Sequence, residues 1–133
     1  NLGNVLGGRV MHLMDICAAM SAYKHARTHV VTASVDNMNF LAPAKKGFIL
    51  ILKSSVNYVS KSSMEVGVKI HSENPFTGKI KHTASAYLTF VSLNADGKPT
   101  EVPDVMPETD VEIRRYKEGK ERTLERKEEL KSK

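Results

Sequence analysis

One carboxylate stands where the surrounding pattern leaves little room for it. From Arg9 to about His25 the chain is apolar on nearly every side of a helix: Val10, Met11, Leu13, Met14, Ile16, Cys17, Ala18, Ala19, Met20 and Ala22. Asp15 sits in the middle of that run. Asp is a poor helix-interior residue, and a carboxylate withdrawn from water loses much solvation unless something pairs with it. Catalytic acids, bases and nucleophiles are found in such places. A structural role is the alternative, with Asp15 on an exposed stripe or paired to His12 or to a second chain. Just ahead of the run stands Gly7-Gly8. The first N–H groups of a helix lack intrahelical partners, and glycine lets a ligand approach the backbone closely. N–H groups placed this way hold a phosphate, or the oxyanion that develops in acyl transfer. An ordinary loop-to-helix turn would use the same two glycines.

Other chemistries find less support. No Gly-x-Ser-x-Gly occurs, which removes the serine-hydrolase elbow. There is no Cys-x-x-Cys and no phosphate-cradling Gly-x-x-x-x-Gly-Lys. Cys17 lies in the apolar run and reads as an inert buried thiol. His25 and His29 are four apart, but Lys24 and Arg27 flank them and no carboxylate joins them, so no metal site is expected. His71 and His82 read as strand-surface residues.

The elements that must position these groups follow from periodicity. Ala, Met and Leu favour helix, and neither Gly nor Pro interrupts the stretch from Arg9 to His25. A helix apolar all round is normally surrounded by protein. Val30 to Asn37, Phe48 to Val59, Ser63 to His71 and Lys79 to Leu93 then read as strands. The third alternates cleanly, with Met64, Val66, Val68 and Ile70 on one face. Pro43 with Lys45-Lys46-Gly47, Asn74-Pro75 with Thr77-Gly78, and Asn94-Ala95-Asp96-Gly97 mark the turns. No strand–helix–strand alternation appears, so the sheet is predicted antiparallel. Pro99, Pro103 and Pro107 fall in a connector, and Thr109-Asp110-Val111-Glu112 fits a capping box opening a charged helix. The prediction is an α+β fold: one buried helix held by a long antiparallel sheet. Four or five strands hardly cover a helix on every side, so at least a dimer is expected.

Length and charge set the limits. At 133 residues there is room for one domain. No apolar stretch reaches the roughly 18 residues of a membrane span, and no basic segment leading into an apolar one suggests a secretory leader. A single cysteine permits no intrachain disulfide, which points to the cytoplasm. The net charge of +5 is concentrated at one end: from Arg114 to Lys133 there are nine Lys or Arg and five Glu. The rest is nearly neutral, so the basic balance says little about nucleic-acid binding.

Gly3-Asn4-Val5-Leu6-Gly7-Gly8-Arg9-Val10-Met11, Leu13-Met14-Asp15, Val30-Val31-Thr32-Ala33-Ser34-Val35-Asp36 and Asn39-Phe40 together resemble the hotdog-fold acyl-CoA thioesterases of the acyl-CoA hydrolase type. The likeness continues through Lys61-Ser62-Ser63-Met64-Glu65-Val66, Ala84-Ser85-Ala86, Phe90-Val91 and Val102-Pro103, and the Pro107-Glu108-Thr109 start of the tail is similar to the cytosolic long-chain members. It implies a long central helix wrapped by a curved antiparallel sheet, with a single hotdog domain over residues 1–108 and a charged helical tail over 109–133. It also implies dimers, three of which form a hexamer. The implied reaction is hydrolysis of fatty acyl-CoA to free acid and CoA, with no cofactor beyond the CoA carried by substrate and product. The working carboxylate lands on Asp15, as general base or as nucleophile, and the oxyanion donors on the helix start at Gly7 and Gly8. A partner asparagine completes the family's site across the dimer. It normally sits three positions before the first loop glycine, here Gly3, so either the matching residue lies before this sequence or Asn1 stands in for it. CoA phosphates need basic and hydroxyl partners, for which the resemblance offers Lys61, Ser62 and Ser63; an ordinary polar turn is the other reading.

Hotdog hydratases carry a histidine five positions after the aspartate; Met20 occupies that position, which disfavours them. A second hypothesis of another class is a non-enzymatic module using its basic tail for nucleic acid or acidic partners. The tail's single aromatic, Tyr116, and its interleaved glutamates make a poor track for phosphates or bases. No nucleic-acid partner and no membrane insertion are therefore expected.

Overall fold

The computed structural model describes residues 7–131. The elements are α1 (Gly7–Ala26), β1 (His29–Phe40), β2 (Ile49–Ser60), β3 (Ser63–Glu73), β4 (Ile80–Leu93) and α2 (Asp110–Lys131). The strands form one antiparallel sheet in the order β1-β4-β3-β2, with α1 on one face and α2 on the other. The α+β hotdog expectation holds.

Four residues one turn apart on α1, Val10, Met14, Ala18 and Ala22, are buried against the sheet. They meet Met64, Val66, Val68 and Ile70 of β3 and Ala84, Ala86, Leu88 and Phe90 of β4. Burial of each large side chain contributes about 1.5–3 kcal/mol, and the small Ala18 and Ala22 let the helix lie close to the strands. Arg27, with φ of 58°, ends α1 in the left-handed region, its N–H donating to the Tyr23 carbonyl at 2.8 Å. Lys24 and His25 in the last turn suit the helix dipole.

One sequence expectation changes and one is met. Gly7 and Gly8 were expected ahead of α1 and instead form its first turn. Glycine's weak helix propensity disguises it, but the first turn asks nothing of a side chain. The apolar face opposite the sheet is also bare in a single chain: Met11, Ile16, Met20 and Tyr23 are exposed, Met20 by 68%. The sheet covers one side of α1 only.

β-bulges decide which residues share the α1 face. In β1 the register shifts between Thr32 and Ser34, so Thr32 opposes Phe90 on the inner face while Ser34 and Asp36 oppose Thr89 and Tyr87 on the outer one. In β2 the shift between Val56 and Tyr58 turns Tyr58 outward, opposite Glu65. Tyr58 therefore packs edge-on against Tyr116 of α2, ring centroids 5.0 Å apart.

The capping box forms as expected: the Glu112 N–H donates to Thr109 Oγ1 at 3.1 Å and the Thr109 N–H to Glu112 Oε1 at 3.0 Å. α2 then lies on the outer face, burying Gly119 and Thr123. A Cβ on Gly119 would stand 3.0 Å from both Glu65 Oε1 and Tyr58 Cβ, so glycine allows the close approach. Arg122 donates from Nε to Glu65 Oε2 at 2.9 Å and from Nη2 to Oε1 at 2.7 Å. Its guanidinium also lies 3.7 Å from the Tyr87 ring centroid.

Candidate active site

Asp15 occupies the flank of α1, between the buried stripe and the exposed one, and is half-buried. Beneath it runs β1, an edge strand of the sheet. Thr32 Oγ1 donates to Asp15 Oδ1 at 2.8 Å. Among the described residues no other hydrogen bond or ion pair holds this carboxylate. One oxygen is thus fixed and the other, Oδ2, is left for chemistry. The inward aim of Thr32 ends at the bulge immediately after it, a device that often sits beside active sites.

Gly8 lies seven residues before Asp15, two helical turns away on the same stripe, about 10 Å along the axis. Gly8 is exposed, and among the described residues nothing lies within 4 Å of where its Cβ would stand. Gly8 and Asp15 of one chain cannot both touch one acyl carbonyl: a base must be within hydrogen-bond reach of its proton, and oxyanion donors within about 3 Å of the oxygen. Asn1 lies outside the described residues.

Lys61 and Ser62 form the turn between β2 and β3, and Ser63 opens β3. Ser63 Oγ donates to the Ser60 carbonyl at 3.1 Å, the Lys61 carbonyl accepts from the Val102 N–H, and the Ser62 carbonyl accepts from the Ser92 N–H. Register places this turn at the Thr32 end of the sheet. Met64, Phe90 and Thr32 form one cross-strand row, so the turn stands about two strand spacings, or 10 Å, from the partner of Asp15.

The remaining candidates fall elsewhere. His25 Nε2 is paired with the Pro103 carbonyl at 2.6 Å. No cluster of three or more His, Cys, Asp or Glu side chains able to hold a metal ion forms among the described residues. Cys17, expected to be buried, is half-buried, with Sγ 3.4 Å from Ser54 Oγ. Phe40 is exposed at the end of β1. Sequence reasoning missed Thr32 as a site residue, although it stands in the Val-Thr-Ala-Ser-Val-Asp segment.

The thioesterase superfamily profile matches residues 2–78. An uncharacterized acyl-CoA thioester hydrolase of Bacillus subtilis is 42% identical over 127 residues, which cover 96% of this chain and 74% of that protein. The chain belongs to the thioesterase superfamily. The rat cytosolic acyl coenzyme A thioester hydrolase is 41% identical over 127 residues; the match covers 94% of this chain but only 33% of that protein. Among solved structures, an apo-hexameric acyl-CoA thioesterase superposes with a TM-score of 0.93 at 40% identity, covering 98% of this chain and 83% of the other. The Staphylococcus aureus acyl-CoA hydrolase, solved with butyryl coenzyme A, coenzyme A and coenzyme A disulfide, gives 0.89 at 43% identity, covering 98% and 79%. Variants of that enzyme with alanine in place of an aspartate, a threonine and an asparagine have also been solved. No helix among the described residues of this thioesterase is long and apolar enough to cross a membrane.

Proposed function

We propose that this chain is an acyl-CoA thioester hydrolase in which Asp15, held by Thr32, acts on the acyl carbon while first-turn N–H groups at Gly7 and Gly8 of a second copy hold the carbonyl oxygen. The observation that carries this reading is the Thr32–Asp15 hydrogen bond at the border of the bare apolar face of α1. The aspartate and threonine replaced in the Staphylococcus aureus enzyme stand 17 residues apart, the separation of Asp15 and Thr32. The asparagine replaced there precedes its aspartate by 15 residues, one more than separates Asn1 from Asp15. Asn1 fills that role only with a one-residue shift.

Hydrolysis needs few groups because a thiolate leaves readily. Asp15 Oδ2 either takes a proton from water as the oxygen attacks the thioester carbon, or attacks the carbon itself to give a mixed anhydride that water then cleaves. In both routes the carbonyl oxygen gains negative charge, and helix-start N–H groups stabilise it. CoA leaves as the thiolate and the acid is released. No cofactor enters either route. Incorporation of oxygen-18 from water into Asp15 during a single turnover selects the anhydride route.

The separation of Gly8 from Asp15 along one helix supports a site built by two copies. Two-fold pairing brings the same patch of each chain together, and Met11, Ile16 and Met20 supply the apolar contact. The relatives' hexamers support three such dimers. Lys61, with φ of 52°, stays in a conformation that costs a non-glycine residue about 1 kcal/mol or more; its position near Thr32 supports a role with Ser62 and Ser63 in meeting CoA phosphates. In this reading residues 1–108 carry the catalytic domain and 109–133 clamp its outer face. The single cysteine and the cytosolic relative support a cytoplasmic enzyme.

Thiol release measured on palmitoyl-CoA and on short acyl-CoAs tests the function and gives the chain-length profile together. Release from at least one of them is expected; salt-dependent DNA binding without thiol release would favour the basic-module alternative.

A further inference from the structure

On the sheet face away from α1, a cleft of about 260 Å³ opens between the first turns of α2 and the middle of β2, β3 and β4. Its charge is one-sided. Lys53 and Lys69 lie directly opposite each other on neighbouring strands, an arrangement that destabilises a sheet. Arg114 and Arg115 of α2 close the wall above them, and Glu118 is the lone acidic residue of the lining. No ion pair engages these four cations among the described residues. Gly67 in the next row makes room for the Asn57 side chain on the floor; a Cβ there would stand 2.8 Å from Asn57 Nδ2.

We propose that this cleft is a second binding site, for a diphosphate-bearing anion that bridges the Lys53–Lys69 pair to Arg114 and Arg115. Arginine's planar fork matches phosphate oxygens in pairs, and lysine supplies point charge. The anion would cancel the like-charge repulsion across β2 and β3 and tie α2 to the sheet. His71 at the rim stacks on His82, centroids 4.9 Å apart. Burial first, and then His82, Lys53 and Lys69, hold its pKa below 6.5, in keeping with a cationic field that lacks a counter-charge. The site is distinct from the thioester site, which lies on the opposite face of the sheet. The diphosphate has two sources, a free phosphate compound or the diphosphate of a CoA.

The test is calorimetric titration of the assembled protein with inorganic pyrophosphate at two salt concentrations, repeated with K53Q/R115Q. Wild type is expected to bind about one pyrophosphate per chain, more weakly at the higher salt. The double variant is expected to lose at least tenfold in affinity, with its ligand-free Tm unchanged or raised. The Tm readout separates loss of a ligand site from loss of fold, because removing one of two opposed lysines relieves repulsion. Repeating the titration with CoA present distinguishes the sources: displacement of pyrophosphate assigns the site to CoA, and undiminished binding assigns it to a free phosphate compound. Absence of binding to wild type, or equal affinity in the variant, overturns the proposal.

Discussion

An aspartate held through one oxygen has the other free to act, and Thr32 decides which is which. The Thr32 hydroxyl donates to Oδ1 of Asp15, and hydrogen bonds to charged groups contribute about 1.5–3 kcal/mol. Thr32→Val keeps the shape and removes the donor, so kcat is expected to fall about 10- to 100-fold with KM little changed. Thr32→Ser should recover most of the rate. Steady-state kinetics on the two variants check this; equal loss in both would make Thr32 a packing residue. Asp15 was legible in the sequence because a charge inside an apolar helix has few structural excuses. Thr32 was not, because in a strand of Val and Thr each threonine looks like a strand former. Only the bulge after it, a tertiary feature, aims its hydroxyl at Asp15.

At the scale of elements, the stability of α2 rests on two electrostatic devices. The first is its cap. The Thr109 backbone N–H, then the Thr109 hydroxyl, hold the Glu112 carboxyl below 4.5. A depressed carboxyl stabilises the folded form above its unfolded pKa, and the contribution is lost as pH falls through the folded value. The protection factor of the Thr109 amide should therefore fall as pH drops through the lowered Glu112 value, and Glu112→Gln should flatten that dependence. The second is the Arg122–Glu65 pair, in which Glu65 is almost fully buried and Arg122 keeps 22% of its side chain in water. Arg122→Ala strands the carboxylate and is expected to cost about 2–4 kcal/mol in denaturant unfolding, somewhat reduced by that exposure. Arg122→Lys should not restore it, since lysine reproduces neither the paired bonds nor the contact with Tyr87. The capping box was readable from Thr109 and Glu112 alone. Glu65 was not, because it alternates with apolar residues as any surface glutamate does, and its burial arises only when α2 lands on it. The start of α1 was misplaced for a related reason: two glycines look like loop, yet a first turn tolerates them.

At the scale of the whole molecule, the apolar character of α1 on all sides already implied a second copy, and the bare Met11, Ile16 and Met20 face agrees with it. The separation of Gly8 from Asp15 could not be weighed before the helix start was known. In the proposed function it makes the pairing functional, with the carboxylate of each site coming from one chain and the oxyanion donors from the other. Mixed assemblies test this directly. Asp15→Ala and Gly8→Val proteins, carrying different tags, would each be assayed for thiol release alone and then as co-expressed, tag-selected dimers. Gly8 has open space for the added side chain, so both should fold. Each alone is expected to fall at least about a hundredfold. Tag-selected dimers are all mixed and half of their sites are whole, so about half of wild-type activity should return. Full activity of Asp15→Ala alone, or no recovery in the mixed dimers, would contradict the account.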